Sequence, residues 1–353
     1  MRSIVMLCTA MALASSFFAH LAHAVKEDHT YVNVLNDHVL DYFYFRSTLN
    51  TFRRDNGVTI AYRVFLPVDA KLNPVKQEQG AIVIVPGRGL PMDVFAETIY
   101  DLAPHGYTMY ILDHQGQGHS GRLVDNFQKQ YVESFDDYVD DLNFFVDNIV
   151  QKQPHQNLFF LAESMGGAIA SLYMKRHQNH PFKACVLAVP MFGINTGIYP
   201  ESLLYGVAQA VSYLGGKESY FFGQGDYQPI SAQASVVTKS EYRYDMMKSV
   251  FTTHNIATGG ISFQWFIAAK NAMYELDNFA LTTPTLILQA QHEQIVRNDS
   301  QHKICKQSSN CQLVVINDAY HEVFLERDHV RDQVLQQITS FFATHLPQSA
   351  RVN

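Results

Sequence analysis

At 353 residues, with 47% apolar and 17% charged side chains, the chain can bury a large core, which excludes a disordered or fibrous protein. Its formal net charge of −7, with no basic run longer than a pair such as Arg53-Arg54, leaves nothing to neutralise phosphates and excludes a nucleic-acid binder.

Taken from the first residue, Arg2 supplies a positive start and Ile4 to Phe18 form a mostly apolar run. Ala22-His23-Ala24 then fits the small-x-small cleavage rule, so a signal peptide is expected over 1–24, leaving 353 − 24 = 329 residues. An uncleaved anchor is the alternative, but the run is short for a spanning helix. Cys8 lies too early to accept a lipid, and no later stretch has the length and lack of charge to cross a bilayer. An exported protein, periplasmic or secreted, is the expectation.

Residues 25–46 are polar and aromatic and carry no clear pattern beyond an expected packing onto the main domain. Thr51–Arg54 and Thr59–Val64 then alternate around Asp55-Asn56-Gly57, a β-hairpin signal. Short apolar runs follow at 81–85, 108–112, 158–161, 184–189, 285–288 and 312–316. They are continuous rather than alternating, as in strands covered on both faces. Between them, 94–103, 135–150, 167–176 and 330–342 have helical spacing. Strands alternating with helices predict an α/β protein with a mostly parallel central sheet flanked by helices, the hairpin adding antiparallel strands at one edge. The segment 195–258 breaks the rhythm and is rich in Tyr, Phe, Leu and Met. It reads as a helical cap inserted between two parts of the core, 25–194 and 259–353, over the carboxyl ends of the strands. Most of its aromatic side chains are expected simply to pack the cap itself.

Three cysteines follow the leader. Cys185 sits in an apolar run and reads as a buried, inert thiol. Cys305 and Cys311 flank a polar loop, and in an oxidising compartment they are expected to close a disulfide.

The sharpest chemical signal is Phe159 to Ala168: an apolar strand, then Ala162-Glu163-Ser164-Met165-Gly166, then a helix opening with small residues. Such an elbow lifts a serine hydroxyl above the sheet, in a turn that only small neighbours permit. Ser164 is therefore the candidate nucleophile. Ser120, in Gly118-His119-Ser120-Gly121, fails because Arg122 stands where the second glycine belongs. A nucleophilic serine needs a base and an orienting acid further along the chain. His321 follows the last strand and is the candidate base. Glu293 follows the strand before it and is the candidate acid, with Asp299, Asp318 and Glu322 as rivals. Pro86-Gly87-Arg88-Gly89 follows the first central strand, so the N–H groups of Arg88 and Met165 are the expected oxyanion donors.

Other chemistries fare badly. His292-Glu293 and His321-Glu322 lack a second histidine four residues on, so no metal site is expected. No phosphate-binding P-loop is present. Gly116-Gln117-Gly118-His119-Ser120-Gly121 matches the dinucleotide string, but it leads into a polar stretch instead of a helix. No cofactor is expected.

Together these residues resemble the monoacylglycerol lipase and bacterial lysophospholipase branch of the α/β-hydrolases, also grouped with the serine aminopeptidases. The matching pieces span roughly residues 50–345: Pro86-Gly87-Arg88, Asp113 to Arg122, Asp136 to Leu142, Glu163 to Ile169, Pro190 to Ile194 and Ala319 to Glu322. Three positions depart from the family's usual pattern. Glu163 stands where His precedes the nucleophile, Pro86 where the oxyanion loop begins with His, and Glu293 where the acid is Asp. The resemblance implies an α/β-hydrolase fold, a structural loop around Ser120, and hydrolysis of one ester bond in a lysophospholipid or monoacylglycerol. It implies a single-chain lipid substrate met at a membrane or micelle surface, and no obligate protein partner. A small-ester or aminopeptidase-like hydrolase and a non-catalytic lipid-binding protein on the same scaffold are the alternatives.

Overall fold

The computed structural model describes residues 24–347, so all of the expected signal peptide but Ala24 lies outside the described residues. Eight strands follow one another among the described residues: β1 (Asn50–Arg53), β2 (Thr59–Phe65), β3 (Gly80–Val85), β4 (Tyr107–Leu112), β5 (Leu158–Glu163), β6 (Phe182–Ala188), β7 (Thr285–Ala290) and β8 (Cys311–Ile316). They form one sheet in the spatial order β1-β2-β4-β3-β5-β6-β7-β8. β2 is antiparallel to both its neighbours, and every pair from β4 to β8 is parallel. The mostly parallel sheet and its antiparallel edge are as expected from the apolar runs.

Among the described residues, eight helices of seven residues or more surround the sheet: α1 (Ala96–Leu102), α2 (Phe135–Asn148), α3 (Met165–Arg176), α4 (Glu201–Val211), α5 (Glu241–Thr253), α6 (Phe263–Leu276), α7 (Asn298–Gln307) and α8 (Asp328–Thr344). The strand β3 shows why its sequence does not alternate. Ile82 and Ile84 enter one core with Met92, Ile99, Val334 and Phe342, while Ala81, Val83 and Val85 enter the other with Leu142, Ile169 and Ala269. Both faces are dry, so both sets of side chains must be apolar. Ser134 starts α2 with reciprocal hydrogen bonds: its Oγ accepts from Asp136 N at 3.1 Å, and Asp137 Oδ2 accepts from Ser134 N at 3.2 Å. The helix expected over 94–103 is shortened, with 3-10 turns at Met92–Phe95 and Ala103–His105 on either side of α1.

Residues 31–45, left unassigned by pattern, form a helical segment with a π-helical stretch at Leu35–Leu40. Tyr31, Leu35, Val39, Tyr42 and Phe43 are buried along one side of it and join the core beside α1. Between β6 and β7 the chain contributes α4, α5 and α6. Of these, α6 packs against α3 and α4, whereas α5 packs against the turn at Met92–Phe95.

Cys305, in the last turn of α7, is bonded to Cys311 at the start of β8, with the Cα atoms 5.2 Å apart. Cys185 is free and buried. The crosslink closes a short loop, so replacing both bonded cysteines by serine is expected to lower stability by about 2 kcal/mol in urea denaturation. An unchanged midpoint would mean that the bond constrains nothing.

Candidate active site

The site is assembled at the carboxyl ends of β5, β7 and β8. Ser164 follows β5 and opens α3 with φ +49°, a left-handed conformation that a non-glycine residue adopts only under constraint. That constraint is visible in the hydrogen bonds. Ser164 N donates to Ala188 O at 2.9 Å, and Ser164 O accepts from Gly167 N and Met191 N, each at 2.9 Å. Small neighbours are obligatory here: a Cβ on Gly166 would collide with Val85 O, and one on Gly167 would lie 2.8 Å from Pro190 Cβ.

His321 follows β8 in a loop held from several sides. Asp318 turns the chain with φ +59°. Glu326 Oε1 accepts from Tyr320 N at 3.0 Å, and Glu322 N donates to Val237 O at 2.7 Å. The imidazole Nε2 lies 2.9 Å from Ser164 Oγ and Nδ1 lies 2.8 Å from Glu293 Oε2. An ionised carboxylate only accepts, so this pairing places the proton on Nδ1 and leaves Nε2 to accept from the serine hydroxyl. Glu293, after β7, is itself fixed: its Oε1 accepts from Ile295 N at 2.7 Å and Val296 N at 3.2 Å. Burial raises the Glu293 pKa, but the imidazole and the two N–H donors outweigh it and hold the carboxyl below its ordinary range. Burial lowers that of His321, and here the Glu293 carboxylate prevails and leaves it raised.

The rival acids stand apart from the imidazole's Nδ1. Asp299 pairs with Arg297 on the surface, and Asp318 approaches His329 at 3.8 Å. Glu322 is buried beside His321, yet its carboxylate accepts no hydrogen bond from the imidazole. Ser120, the competing serine, is occupied structurally: its Oγ donates to Asp113 O at 2.7 Å and accepts from Ala61 N at 2.9 Å.

The loop after β3 passes directly over the serine, since a Cβ on Gly87 would lie 3.4 Å from Ser164 Cβ. Among the described residues, neither Arg88 N–H nor Met165 N–H has an acceptor. Two uncommitted donors beside a hydroxyl are the parts of an oxyanion hole. Sequence reasoning missed what braces this loop. Gln117 Nε2 donates to Gly87 O and Gln117 Oε1 accepts from Gly89 N, both at 2.9 Å, and His114 Nε2 reaches Pro86 O at 3.1 Å. Both side chains belong to the segment Asp113 to Arg122, so the signal was the segment itself, while its task needed the fold.

Ser164 and His321 open into a pocket of about 280 Å³ whose lining also includes Arg88, Met191, Ile194, Ile261, Trp265 and Val296. Behind it, Glu163 and Glu322 face a second, smaller void with Leu90, Val94, Phe95, Phe324 and Leu325 that leaves no room for water. Neither carboxylate oxygen of Glu163 has a hydrogen-bond partner. Burial, with the charge of Glu322 adding to it, pushes the Glu163 pKa well above its ordinary value, so its surroundings disfavour the charged form. Glu163 thus departs from the family pattern in residue type, in surroundings that disfavour a charge next to the nucleophile.

Comparison with known proteins places the chain in a family. The family model described as serine aminopeptidase, S33, matches residues 76–328. The chain is 33% identical to Lysophospholipase L2 of Escherichia coli K12 over 75% of this chain and 80% of that one. It is 24% identical to Monoacylglycerol lipase of Mycolicibacterium smegmatis over 84% of this chain and 97% of the relative. A soluble variant of monoglyceride lipase from Saccharomyces cerevisiae, solved with a substrate analog, superposes with a TM-score of 0.66 at 18% identity, covering 86% of this chain and 96% of that one. The architecture is the α/β-hydrolase fold, and the chain belongs to the serine aminopeptidase S33 family.

Proposed function

We propose that the protein is a serine carboxylester hydrolase that releases the fatty acid from a single-chain lipid, a lysophospholipid or monoacylglycerol. The observation that carries the reading is the unbroken hydrogen-bonded line from Ser164 through His321 to Glu293 at the floor of a largely apolar pocket. Ser164 Oγ attacks the acyl carbonyl as its proton passes to His321 Nε2, and the N–H groups of Arg88 and Met165 receive the developing oxyanion. The protonated imidazole then gives that proton to the departing glycerol oxygen. Water, activated by the same nitrogen, hydrolyses the acyl-enzyme. Glu293 holds the tautomer and stabilises the imidazolium. An acyl chain suits the lining, because each buried methylene contributes roughly 0.8 kcal/mol.

Residues 195–258 serve in this reading as a cap over the pocket. They also carry the most exposed apolar side chains, with Ile198 and Tyr213 each 91% and Leu214 83% exposed, which suits contact with a membrane or micelle surface. No helix among the described residues is long and apolar enough to cross a membrane. Export rests on the leader-like residues 1–24 and is supported by the Cys305–Cys311 bond.

The test is a fluorophosphonate probe together with lipid assays on the purified chain from Val25 onward. Covalent labelling at Ser164, with hydrolysis that accelerates as the acyl chain lengthens, is the expected result. Absence of labelling would make the protein a non-catalytic lipid binder. Labelling with rates indifferent to chain length would make it a small-ester hydrolase.

A further inference from the structure

Arg88 does more than offer an N–H group. Its guanidinium lines the same pocket as Ser164 and His321, reached by solvent through the pocket mouth. It makes no ion pair among the described residues: its hydrogen bond, from Nη1 to Gln130 Oε1 at 3.3 Å, goes to a neutral amide. The guanidinium carbon sits 5.9 Å from the Trp265 ring centroid. Gln130 is anchored in turn, its Nε2 donating to Thr258 Oγ1 at 2.8 Å and its backbone bonded to Gly260 and Ser262. A Cβ on Gly89 would lie 2.9 Å from Thr258 Oγ1, so this bracket is packed tightly against the loop. A structural arginine in such a position would normally meet a carboxylate. Here the acid in the same pocket, Glu322, is out of ion-pairing range of the guanidinium and faces the second void with Glu163. The pocket therefore holds a cation whose bidentate fork touches no carboxylate, with the charge of Glu322 acting on it only from a distance.

We propose that the Arg88 guanidinium is the head-group subsite of this pocket, binding the phosphodiester of a lysophospholipid while Ser164 attacks its acyl ester. The inference rests on the reading above that Ser164 attacks a lipid ester. The Arg88 backbone N–H faces the carbonyl oxygen, and its side chain spans about as many bonds as the glycerol arm between that carbonyl and the phosphorus. One residue thus contacts both ends of the polar part of the substrate. In the acylation step the bond from Ser164 Oγ to the acyl carbon forms and the bond from that carbon to the glycerol oxygen breaks. The glycerol oxygen takes the proton from His321, and the phosphate leaves with it as a glycerophosphodiester. Deacylation then concerns the acyl chain alone. The contribution of Arg88 is confined to acylation and to binding of the first product.

That confinement defines the experiment. Oleoyl lysophosphatidylethanolamine and monoolein give the same acyl-enzyme, so kcat/KM for each is measured with wild type, Arg88→Gln and Arg88→Lys, all of which keep the backbone donor. The expected result is that Arg88→Gln lowers the ratio of the two kcat/KM values, phospholipid over monoolein, by about ten- to a hundred-fold, with Arg88→Lys recovering part of it. Glycerophosphoethanolamine is expected to inhibit wild type more strongly than inorganic phosphate does, and to lose that advantage in Arg88→Gln. If both substrates slow equally, Arg88 acts through loop geometry alone and the proposal falls while the ester-hydrolase reading stands. If inorganic phosphate inhibits as well as the glycerol diester, the cation is a free-phosphate site and the proposal also falls. A wild type that hydrolyses neither lipid overturns both. Fluorophosphonate labelling and the unfolding midpoint verify that each variant is folded, and Arg88→Lys carries the test should Arg88→Gln not fold.

Discussion

Glu293→Gln leaves a folded protein whose kcat is lower by about a hundred- to ten-thousand-fold. The amide can keep an oxygen toward the N–H groups of Ile295 and Val296, so the loop after β7 retains its shape. What faces His321 Nδ1 is then an NH2 group, a donor where an acceptor stood. The imidazole moves its proton to Nε2 and can no longer accept from Ser164. The pH profile moves too. In the wild type, Glu293 outweighs burial and raises the His321 pKa above its ordinary value of 6.5. A raised pKa means that the base is protonated, and kcat/KM lost, as pH falls through a value above 6.5. Without the carboxylate that acid limb shifts to lower pH. Ser164→Ala is expected to cost roughly a million-fold, and adding Glu293→Gln to it should cost nothing more, because members of such a relay act as one unit. Stopped assays from pH 5 to 9 with the single and double variants check all three statements. Near-normal turnover in Glu293→Gln would hand the acid role to Glu322 or another rival.

The features legible in the sequence are those with local causes. Ser164 stands out because an elbow needs small residues at 166 and 167, and the collisions met by a Cβ at either position explain the requirement. The strands β3 to β7 are legible because both their faces are dry, whereas the edge strand β8 is legible from its apolar run although it is half exposed. His321 and Glu293 could be placed by the strands they follow, and the fold brings both within hydrogen-bond reach of the hydroxyl or of each other. The helical segment at 31–45 was opaque because the exposed Val32 and Phe45 blur its buried apolar face and a π-helical stretch disturbs the period. Gln117 was opaque for a different reason. A glutamine between two glycines has no pattern of its own, and its partners at Gly87 and Gly89 lie about thirty residues away in the chain. The raised pKa of Glu163 is of the same kind, since it depends on which wall the side chain meets.

Arg243 is the extreme case of a residue whose weight lies in distant partners, and its removal is the change expected to damage stability most. Its guanidinium has no exposed surface and holds Glu97 Oε1 at 2.8 Å, Asp328 Oδ1 at 2.9 Å, Glu326 O at 2.8 Å and Val25 O at 3.1 Å. One side chain on α5 thereby joins α1, the start of α8 and the segment at Val25. Glu97, 1% exposed, is pushed up by burial but held below its ordinary pKa by Arg331 and Arg243. Arg243→Met leaves that carboxylate with Arg331 and Tyr31 alone, and a loss of about 3–5 kcal/mol is expected. The loss arises mainly from the stranded charge and not from the bond itself. Arg243→Met combined with Glu97→Met should therefore be more stable than Arg243→Met alone, despite carrying a second substitution. Urea denaturation of the double variant and of both single variants checks the sign. A double variant that is less stable by the sum of the two single losses would mean that the buried pair contributes through packing, with its charges balanced independently of one another.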